Sequence, residues 1–156
     1  MRLTGLLALG ICLIGCSAPD AETPETLVTS GYDQDAMEQA IGKAQNSVST
    51  FVAELENPTG SDHAVKAPIE DDGETEHFWL TNLDLKDGVF TGIINNEPGI
   101  VSNVKIGQSW TIKQEEISDW MFMKDGMMHG NYTLRPLLET MPAEQADQLR
   151  AILVDP

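Results

Sequence analysis

The spacing of apolar residues divides the chain into a helical segment, a longer strand-rich segment and a second helical segment. Behind Asp35 and Glu38, apolar residues recur at alternating intervals of four and three, at Met37, Ile41, Ala44, Val48, Phe51 and Leu55. These intervals put them on one stripe of a helix of about five turns, with Asp35 as the capping residue. Asn57-Pro58 ends this helix, because proline disfavours helical backbone in the residue before it.

From residue 63 the apolar period changes to two, which is typical of strands that bury one face. Val65, Ala67 and Ile69 form the first alternation, and Pro68 indicates an edge strand because proline has no N–H to donate to a neighbour. Further strands are predicted at residues 75–83, 89–94, 100–104, 110–113, 120–124 and 127–132. Gly73, Gly88 and Gly126 each follow an aspartate, which is a turn signal between strands.

In the second predicted strand, Phe78 and Leu80 lie on one face and His77 and Trp79 on the other. After the strands, Pro142 marks the first turn of a closing helix whose apolar face contains Ala146, Leu149 and Leu153, with Thr140 or Met141 as its cap. The order of elements predicts an α+β fold. Its antiparallel sheet would have about five short strands and be curled, with an N-terminal amphipathic helix and a C-terminal helix.

The first residues have the pattern of a lipoprotein signal peptide. Arg2 precedes an apolar run at residues 6–14, which is too short to span a bilayer. Residues 13–16 read Leu-Ile-Gly-Cys, the pattern at which a bacterial lipoprotein is cleaved and its cysteine acylated, whereas the alternative is an ordinary secretory leader. We expect a signal peptide at 1–15, a lipid on Cys16, a flexible tether at 16–31 and one domain at 32–156. Ser17 favours the outer over the inner membrane, and the domain would face the periplasm.

Composition narrows the classes of partner. Acidic residues outnumber basic ones 25 to 9, for a net charge of −16, which argues against nucleic acid because phosphate contacts need clustered Lys and Arg. The two cysteines, Cys12 and Cys16, both precede the predicted domain, so it has no disulfide. No cofactor is predicted, and the expected partners are the membrane, through the lipid, and an unidentified envelope protein or ligand.

Four short motifs carry a resemblance to a known family. They are Glu-His-Phe-Trp-Leu at 76–80, Gly-x-Ile-x-Asn-Glu-Pro at 92–98, Lys-x-Gly-Gln at 105–108 and Ile-Ser-Asp-Trp at 117–120. In this order they resemble the YegJ-like bacterial proteins, the family of domain of unknown function 2314. The resemblance covers about residues 35–135, without the last helix. It implies no established activity, cofactor or catalytic residue.

Three sets of side chains could hold a metal ion, and each has a structural alternative. Mixed N and O ligands of a zinc site are offered by Glu76, His77, Asp119 and His129. Thioethers with an imidazole suit Cu(I) and occur at Met121, Met123, Met127, Met128 and His129. An acidic run that could hold calcium consists of Glu70, Asp71, Asp72, Glu74 and Glu76. None has the spacing of a recognised metal motif, so a half-buried histidine, core methionines and a solvated turn are the favoured interpretations.

The favoured function is that of a non-enzymatic binding domain. Polar residues beside aromatics on loops are typical of binding surfaces. The predicted patch consists of His77, Trp79, Asn96, Glu97, Pro98, Asp119 and Trp120. The alternative is a small periplasmic hydrolase in which His77 works with Glu97 or Asp119 in general acid/base catalysis, which requires that these side chains meet.

Overall fold

The computed structural model describes residues 31–154, which form one six-stranded sheet, a long helix and two short ones. The predicted signal peptide, Cys16 and almost all of the tether lie outside the described residues. The helices are α1 (Gln34–Glu56), α2 (Leu134–Leu138) and α3 (Ala143–Ile152), and a 3₁₀ turn occupies Gln114–Glu116. The strands are β1 (Ser61–Asp71), β2 (Glu74–Lys86), β3 (Val89–Ile94), β4 (Ser109–Lys113), β5 (Asp119–Lys124) and β6 (Met127–Gly130). This architecture confirms the predicted α+β class.

All strand pairs are antiparallel, in the order β4-β3-β2-β1-β5-β6. Two-residue turns join β1 to β2, β2 to β3 and β5 to β6. In each, an aspartate and a glycine both have positive φ, with values of 49° and 85° at Asp72-Gly73, for example. Such turns match the right-handed twist of the flanking strands. The three Asp-Gly pairs therefore specify the hairpins locally, as the sequence predicted.

Helix α1 covers one face of the sheet, and the core lies between them. Ala44 and Phe51 of the predicted apolar stripe are fully buried, and Val48 and Leu55 pack against the core. The predicted cap was wrong by two residues. Asp33 caps the helix instead, and its carboxylate accepts a hydrogen bond of 3.0 Å from the N–H of Ala36.

Four local predictions are corrected by the topology. The sheet has six strands, and β1 lies inside it, although Pro68 stands beyond the part that pairs with β5, which ends at Lys66. Residues 100–104 form a loop, which is held down by buried Val101 and Val104. Pro142 precedes α3 as its cap, and α2 was not predicted. Among the helices described within residues 31–154, none has the length and apolar character to cross a membrane.

Two β-bulges stand at the same level of the sheet. In β1, two residues between Ser61 and Ala64 oppose one residue of β5. In β2, two residues between Thr81 and Asp84 oppose Gly92 of β3. Bulges bend a strand and increase its twist. The pairing of β1 with β2 stops beside both of them, at Val65 opposite Leu80, and the two strands part beyond it.

The bulge in β2 depends on Gly92. An alanine substitution there and one at a control glycine should therefore affect stability differently. A Cβ on Gly92 would lie 2.8 Å from Leu83 Cδ2 and 3.0 Å from Leu80 Cβ, whereas one on Gly42 of α1 would meet no atom within 4 Å. We expect Gly92→Ala to destabilise the protein by about 1–3 kcal/mol through overpacking. Gly42→Ala should stabilise it by about 0.5–1 kcal/mol, because glycine is a poor helix former. Urea denaturation measures both changes, and equal midpoints for the two variants would contradict this role of Gly92.

Candidate functional site

The parting of β1 and β2 opens a cleft in the sheet, with a volume of about 900 Å³. One wall consists of residues 62–64 of β1 and the other of residues 81–83 of β2. Trp79 and Met121 lie on the sheet beside it, and Leu149 of α3 closes one side. The described residues that line this cleft are Leu55, Asp62, His63, Ala64, Trp79, Thr81, Asn82, Leu83, Asn95, Met121, Met128, Asn131, Leu134, Gln145 and Leu149.

The two bulges give the cleft its shape. Asp62 and Asn82, on opposite walls, have positive φ of 55° and 52°, a conformation that Asp and Asn adopt more readily than most residues. The bulge in β2 also changes which side chains face the core, from Leu80 to Leu83 and Leu85. Both parting strands therefore carry polar, left-handed residues at the mouth of the cleft.

Lys66 links the sheet to the segment after β6, next to the cleft. Its Nζ donates to Thr133 Oγ1 at 3.1 Å and lies 4.9 Å from the centre of the Trp79 ring. Thr133 Oγ1 in turn donates to the carboxylate of Asp119 at 2.7 Å. This arrangement fixes one face of Trp79 against a cation, and the indole forms a rigid boundary of the cleft.

Asp119 is fully buried and serves as a structural anchor. Oδ1 accepts from the N–H groups of Trp120 and Tyr132, and Oδ2 accepts from the N–H and the hydroxyl of Thr133. Burial raises the pKa of Asp119, while the hydrogen bonds from Thr133 and Trp120 and the charge of Lys66 oppose the shift. The carboxylate accepts all four of these hydrogen bonds, so both of its oxygens are already occupied by protein donors. With no exposed surface, it cannot reach a substrate.

The structure brings only part of the predicted binding patch to the surface. Trp120 packs on the α1 side of the sheet, where Nε1 donates to the carbonyl of Ala44 at 3.0 Å and the ring lies 5.6 Å from Phe51. Trp120 is only 3% exposed and Asp119 is fully buried, so neither contributes to an exposed surface. The accessible residues of the predicted patch are His77, Trp79, Asn96, Glu97 and Pro98.

The loop at residues 95–108 is held to β2 by two residues of the family motifs. Glu76, 3% exposed, accepts hydrogen bonds from the N–H groups of Gly99, Ile100 and Val101. Asn96 Oδ1 accepts from the N–H of Trp79 at 2.9 Å. Both side chains therefore satisfy backbone donors that the irregular loop and strand would otherwise leave unpaired.

His77 forms a pair with a serine that the sequence did not single out. Its Nδ1 lies 2.8 Å from Ser118 Oγ, which is also 3.3 Å from the carbonyl of Lys66. Much of His77 is exposed, but its inner side is not, and this partial burial together with the charge of Lys66 lowers the pKa of the imidazole. Ser118 is only 3% exposed. A substrate cannot approach its hydroxyl, so the pair positions the start of β5.

The three residues of the predicted hydrolase site do not lie together in the cleft. None of His77, Glu97 and Asp119 lines the cleft, and the carboxylate of Asp119 is occupied by backbone donors. One carboxylate–histidine pair does border the cleft, with Glu54 Oε1 3.3 Å from His63 Nε2. The carboxylate of Glu54 also accepts from the N–H groups of Thr59 and Gly60. That pair therefore holds the turn between α1 and β1.

The candidate metal ligands are dispersed. His129 stacks on Phe122 on the α1 side, with ring centres 4.6 Å apart, whereas Met128 pairs with Met123 and faces the other way. The copper set is thus split between two faces of its hairpin. In the acidic run, Asp71 accepts hydrogen bonds from the N–H and the hydroxyl of Ser102, and Glu76 accepts hydrogen bonds from the loop after β3. Within residues 31–154, no three His, Cys, Asp or Glu side chains group as an ion requires.

Sequence reasoning missed most of the cleft residues. Asn82 and Asn131 fall within predicted strands and Asn95 within a predicted loop, and none of the three belongs to a predicted site. One signal was present, because the apolar interval in β2 changes from two to three between Leu80 and Leu83. Such a change of phase inside a strand indicates a bulge.

The fold and the cleft define an α+β domain with an open cleft in its sheet, and the described residues do not bring His77, Glu97 and Asp119 together there. The chain belongs to the family "Uncharacterized protein conserved in bacteria (DUF2314)", whose model matches residues 34–152. This confirms the family resemblance and extends it through α3, which the motifs alone left out.

Two relatives are similar to this chain over different shares of their length. "Uncharacterized protein YegJ" of Escherichia coli K12 is 48% identical over 149 residues, or 96% of this chain and 97% of that protein. A "Putative ankyrin repeat protein" of Neisseria meningitidis serogroup B is 37% identical over 86 residues, which are 52% of this chain and 34% of the longer protein. No solved structure matches the chain.

Substituting the two motif carboxylates Asp119 and Glu97 should change the stability of the protein by very different amounts. Asp119→Ala should destabilise the protein by about 3 kcal/mol or more, because it leaves several buried donors without an acceptor. Glu97→Ala should change the free energy of unfolding by less than about 0.5 kcal/mol, since Glu97 is exposed on a loop. Urea denaturation of the two variants compares them directly. A large loss for Glu97→Ala would show that the loop depends on this side chain.

Proposed function

We propose that this chain is a lipid-anchored domain of the bacterial cell envelope that binds another envelope protein or ligand in the cleft, without catalysing a reaction. The cleft carries the proposal, because its volume of about 900 Å³ falls in the range of sites that enclose a ligand. Apolar side chains such as Trp79, Met121 and Leu149 line it together with neutral amides. This mixture suits recognition, since the apolar groups supply buried area and the amides fix orientation.

Two further observations support a binding role. The leader pattern ending in Cys16 would place the domain on the periplasmic side of a membrane, with the outer membrane favoured. The Neisseria relative is described as an ankyrin repeat protein, and the matched segment is about a third of it. Ankyrin repeats form extended binding surfaces, so the description of this relative agrees with a binding role.

The accessible residues of the predicted patch form the proposed rim of this site. Trp79 belongs to both the patch and the cleft, and Asn96 holds the loop against the backbone of Trp79. Asn95, the preceding residue, lines the cleft itself. Glu97 and His77 would then contact those parts of a partner that extend beyond the cleft.

Lipidation predicts a change in location for one variant. Cys16→Ser should abolish incorporation of radiolabelled palmitate and release the protein into the soluble periplasmic fraction, because the thiol that takes the lipid is lost. The matched control is Cys12→Ser, which lies within the apolar run and should leave both properties unchanged. Unchanged labelling and membrane association of Cys16→Ser would contradict the anchor.

Binding in the cleft predicts a position-specific crosslink. A photoreactive phenylalanine analogue at Thr81, on the wall of the cleft, should capture one partner in intact cells. The same analogue at Thr111, exposed on β4, should capture none. Immunoblotting for shifted bands measures both. Equal capture from the two positions, or none from Thr81, would place the binding site elsewhere.

The variant Glu97→Ala tests in the same assay whether the rim contributes to partner binding in addition to the cleft. If Glu97 contacts the partner, its removal should reduce the crosslink from Thr81 several-fold, while the melting temperature stays nearly the same. A folded variant with undiminished capture would restrict the site to the cleft and remove Glu97 from it.

A further inference from the structure

We propose that the cleft accepts an extended peptide segment of another protein, which pairs as an added antiparallel strand with the open edge of β2 at residues 81–86. This inference rests on the proposed binding function and names its ligand class. The observation behind it is that β2 continues to Lys86, whereas its pairing with β1 ends at Leu80.

The open edge lies inside the sheet. On its other side β2 stays paired with β3, with Asp84 opposite Thr91 and Lys86 opposite Val89. Among residues 31–154, no strand lies beside the side of β2 that faces the cleft, because the pairing with β1 ends at Val65. Alternate N–H and C=O groups on such an edge form a template for an extended peptide, which is the basis of recognition by strand addition.

The lining of the cleft fits the side chains of such a peptide. Alternate side chains of an added strand would point to the face that carries Trp79, Met121 and Met128. Methionine adapts to irregular apolar shapes, so this face suits an aliphatic or aromatic residue without demanding one type. Asn95 and Asn131 can bond to the peptide main chain where the backbone of β2 cannot reach.

The charges of the cleft and of the whole chain restrict which peptides can bind. No lysine or arginine is among the described lining residues, whose ionisable members are Asp62 and His63. The whole chain carries a net charge of −16. Acidic peptides and phosphate groups are therefore disfavoured by repulsion, and a neutral or basic segment is the occupant that fits.

The chain's own N-terminal segment is a poor occupant. Leu55, near the end of α1, lines the cleft, whereas that segment joins α1 at its other end, roughly 30 Å away. Spanning this distance takes on the order of nine extended residues before Gly31. The residues left to form a strand would be those around Pro19 and Asp20, which are unfavourable in strands. The occupant is therefore expected to come from another molecule.

The test uses the full chain in detergent micelles. Peptides that bind this chain are first selected from a library of random 12-residue sequences. A selected peptide is synthesised with one backbone N-methyl group at each position in turn, and the Kd is measured by fluorescence anisotropy. Methylation at alternate positions should weaken binding about tenfold or more, because every second N–H faces β2. The intervening positions should change Kd by less than about threefold, and amide hydrogen exchange at residues 81–86 should slow in the complex.

Two matched variants locate the peptide. Thr81→Trp fills the cleft and should weaken binding at least about tenfold, whereas Thr111→Trp on β4 should leave it unchanged. A melting temperature confirms that each variant is folded. If Thr81→Trp does not fold, the N-methyl series and the hydrogen exchange on the unaltered chain still decide the question.

Several results would overturn strand addition. These are a library that yields no binder, an N-methyl series without period two, and amide exchange at residues 81–86 that does not slow in the peptide complex. If any of them occurs while Thr81 still crosslinks a partner in cells, the binding function stands and only its ligand class is wrong. If the Thr81 crosslink also fails, both proposals fall.

Discussion

The buried carboxylate of Asp119 is the interaction on which the arrangement around the sheet depends. It accepts hydrogen bonds from N–H groups of the segment after β6, and it lies beside Lys66 of the neighbouring strand β1. The next side chain, Trp120, points to the other face and bonds to the backbone of α1. Two consecutive residues of β5 thus fix the sheet to α1 on one side and to the start of α2 on the other. A carboxyl group this deeply buried is tolerable because its two oxygens accept four hydrogen bonds.

With that side of the sheet fixed, the opposed bulges account for the cleft. A continuous ladder between β1 and β2 would close the site and leave Trp79 on an ordinary sheet surface. The bulges end the ladder beyond Leu80, and Gly92 makes this possible by leaving room for Leu83. The resulting free edge bears charged Asp84 and Lys86, a common protection of open strands against indiscriminate pairing. The cleft is therefore a consequence of strand geometry, whereas most sites on sheets are built by loops.

Much of the fold was predictable because its signals are local. The apolar stripe of α1 and the Asp-Gly turns each specify an element within a few residues, and both predictions were confirmed. The parting of β1 and β2 was not predictable, because it depends on bulges formed against two different neighbours. Pro68 misled for a similar reason. It indicates a free edge correctly, but that edge is the unpaired end of an interior strand.

The candidate site was harder to predict than the fold, because the residues that attract attention in the sequence are those with structural tasks. Glu76, Asn96 and Asp119 are polar and belong to the family motifs, which made Glu76 and Asp119 candidate metal ligands and Asn96 a candidate binding residue. Each instead accepts hydrogen bonds from backbone N–H groups. These belong to the loop after β3 for Glu76, to Trp79 of β2 for Asn96 and to the segment after β6 for Asp119.

The composition of the cleft is unremarkable by comparison, with amides, methionines and leucines that any protein of this size contains. Trp79 is the exception, since it stands in a motif and also lines the cleft. Its backbone N–H bonds to Asn96, and its ring lies next to Lys66. The motifs therefore describe mainly how this domain folds. Trp79 contributes to both tasks, because its backbone holds the loop and its side chain lines the cleft.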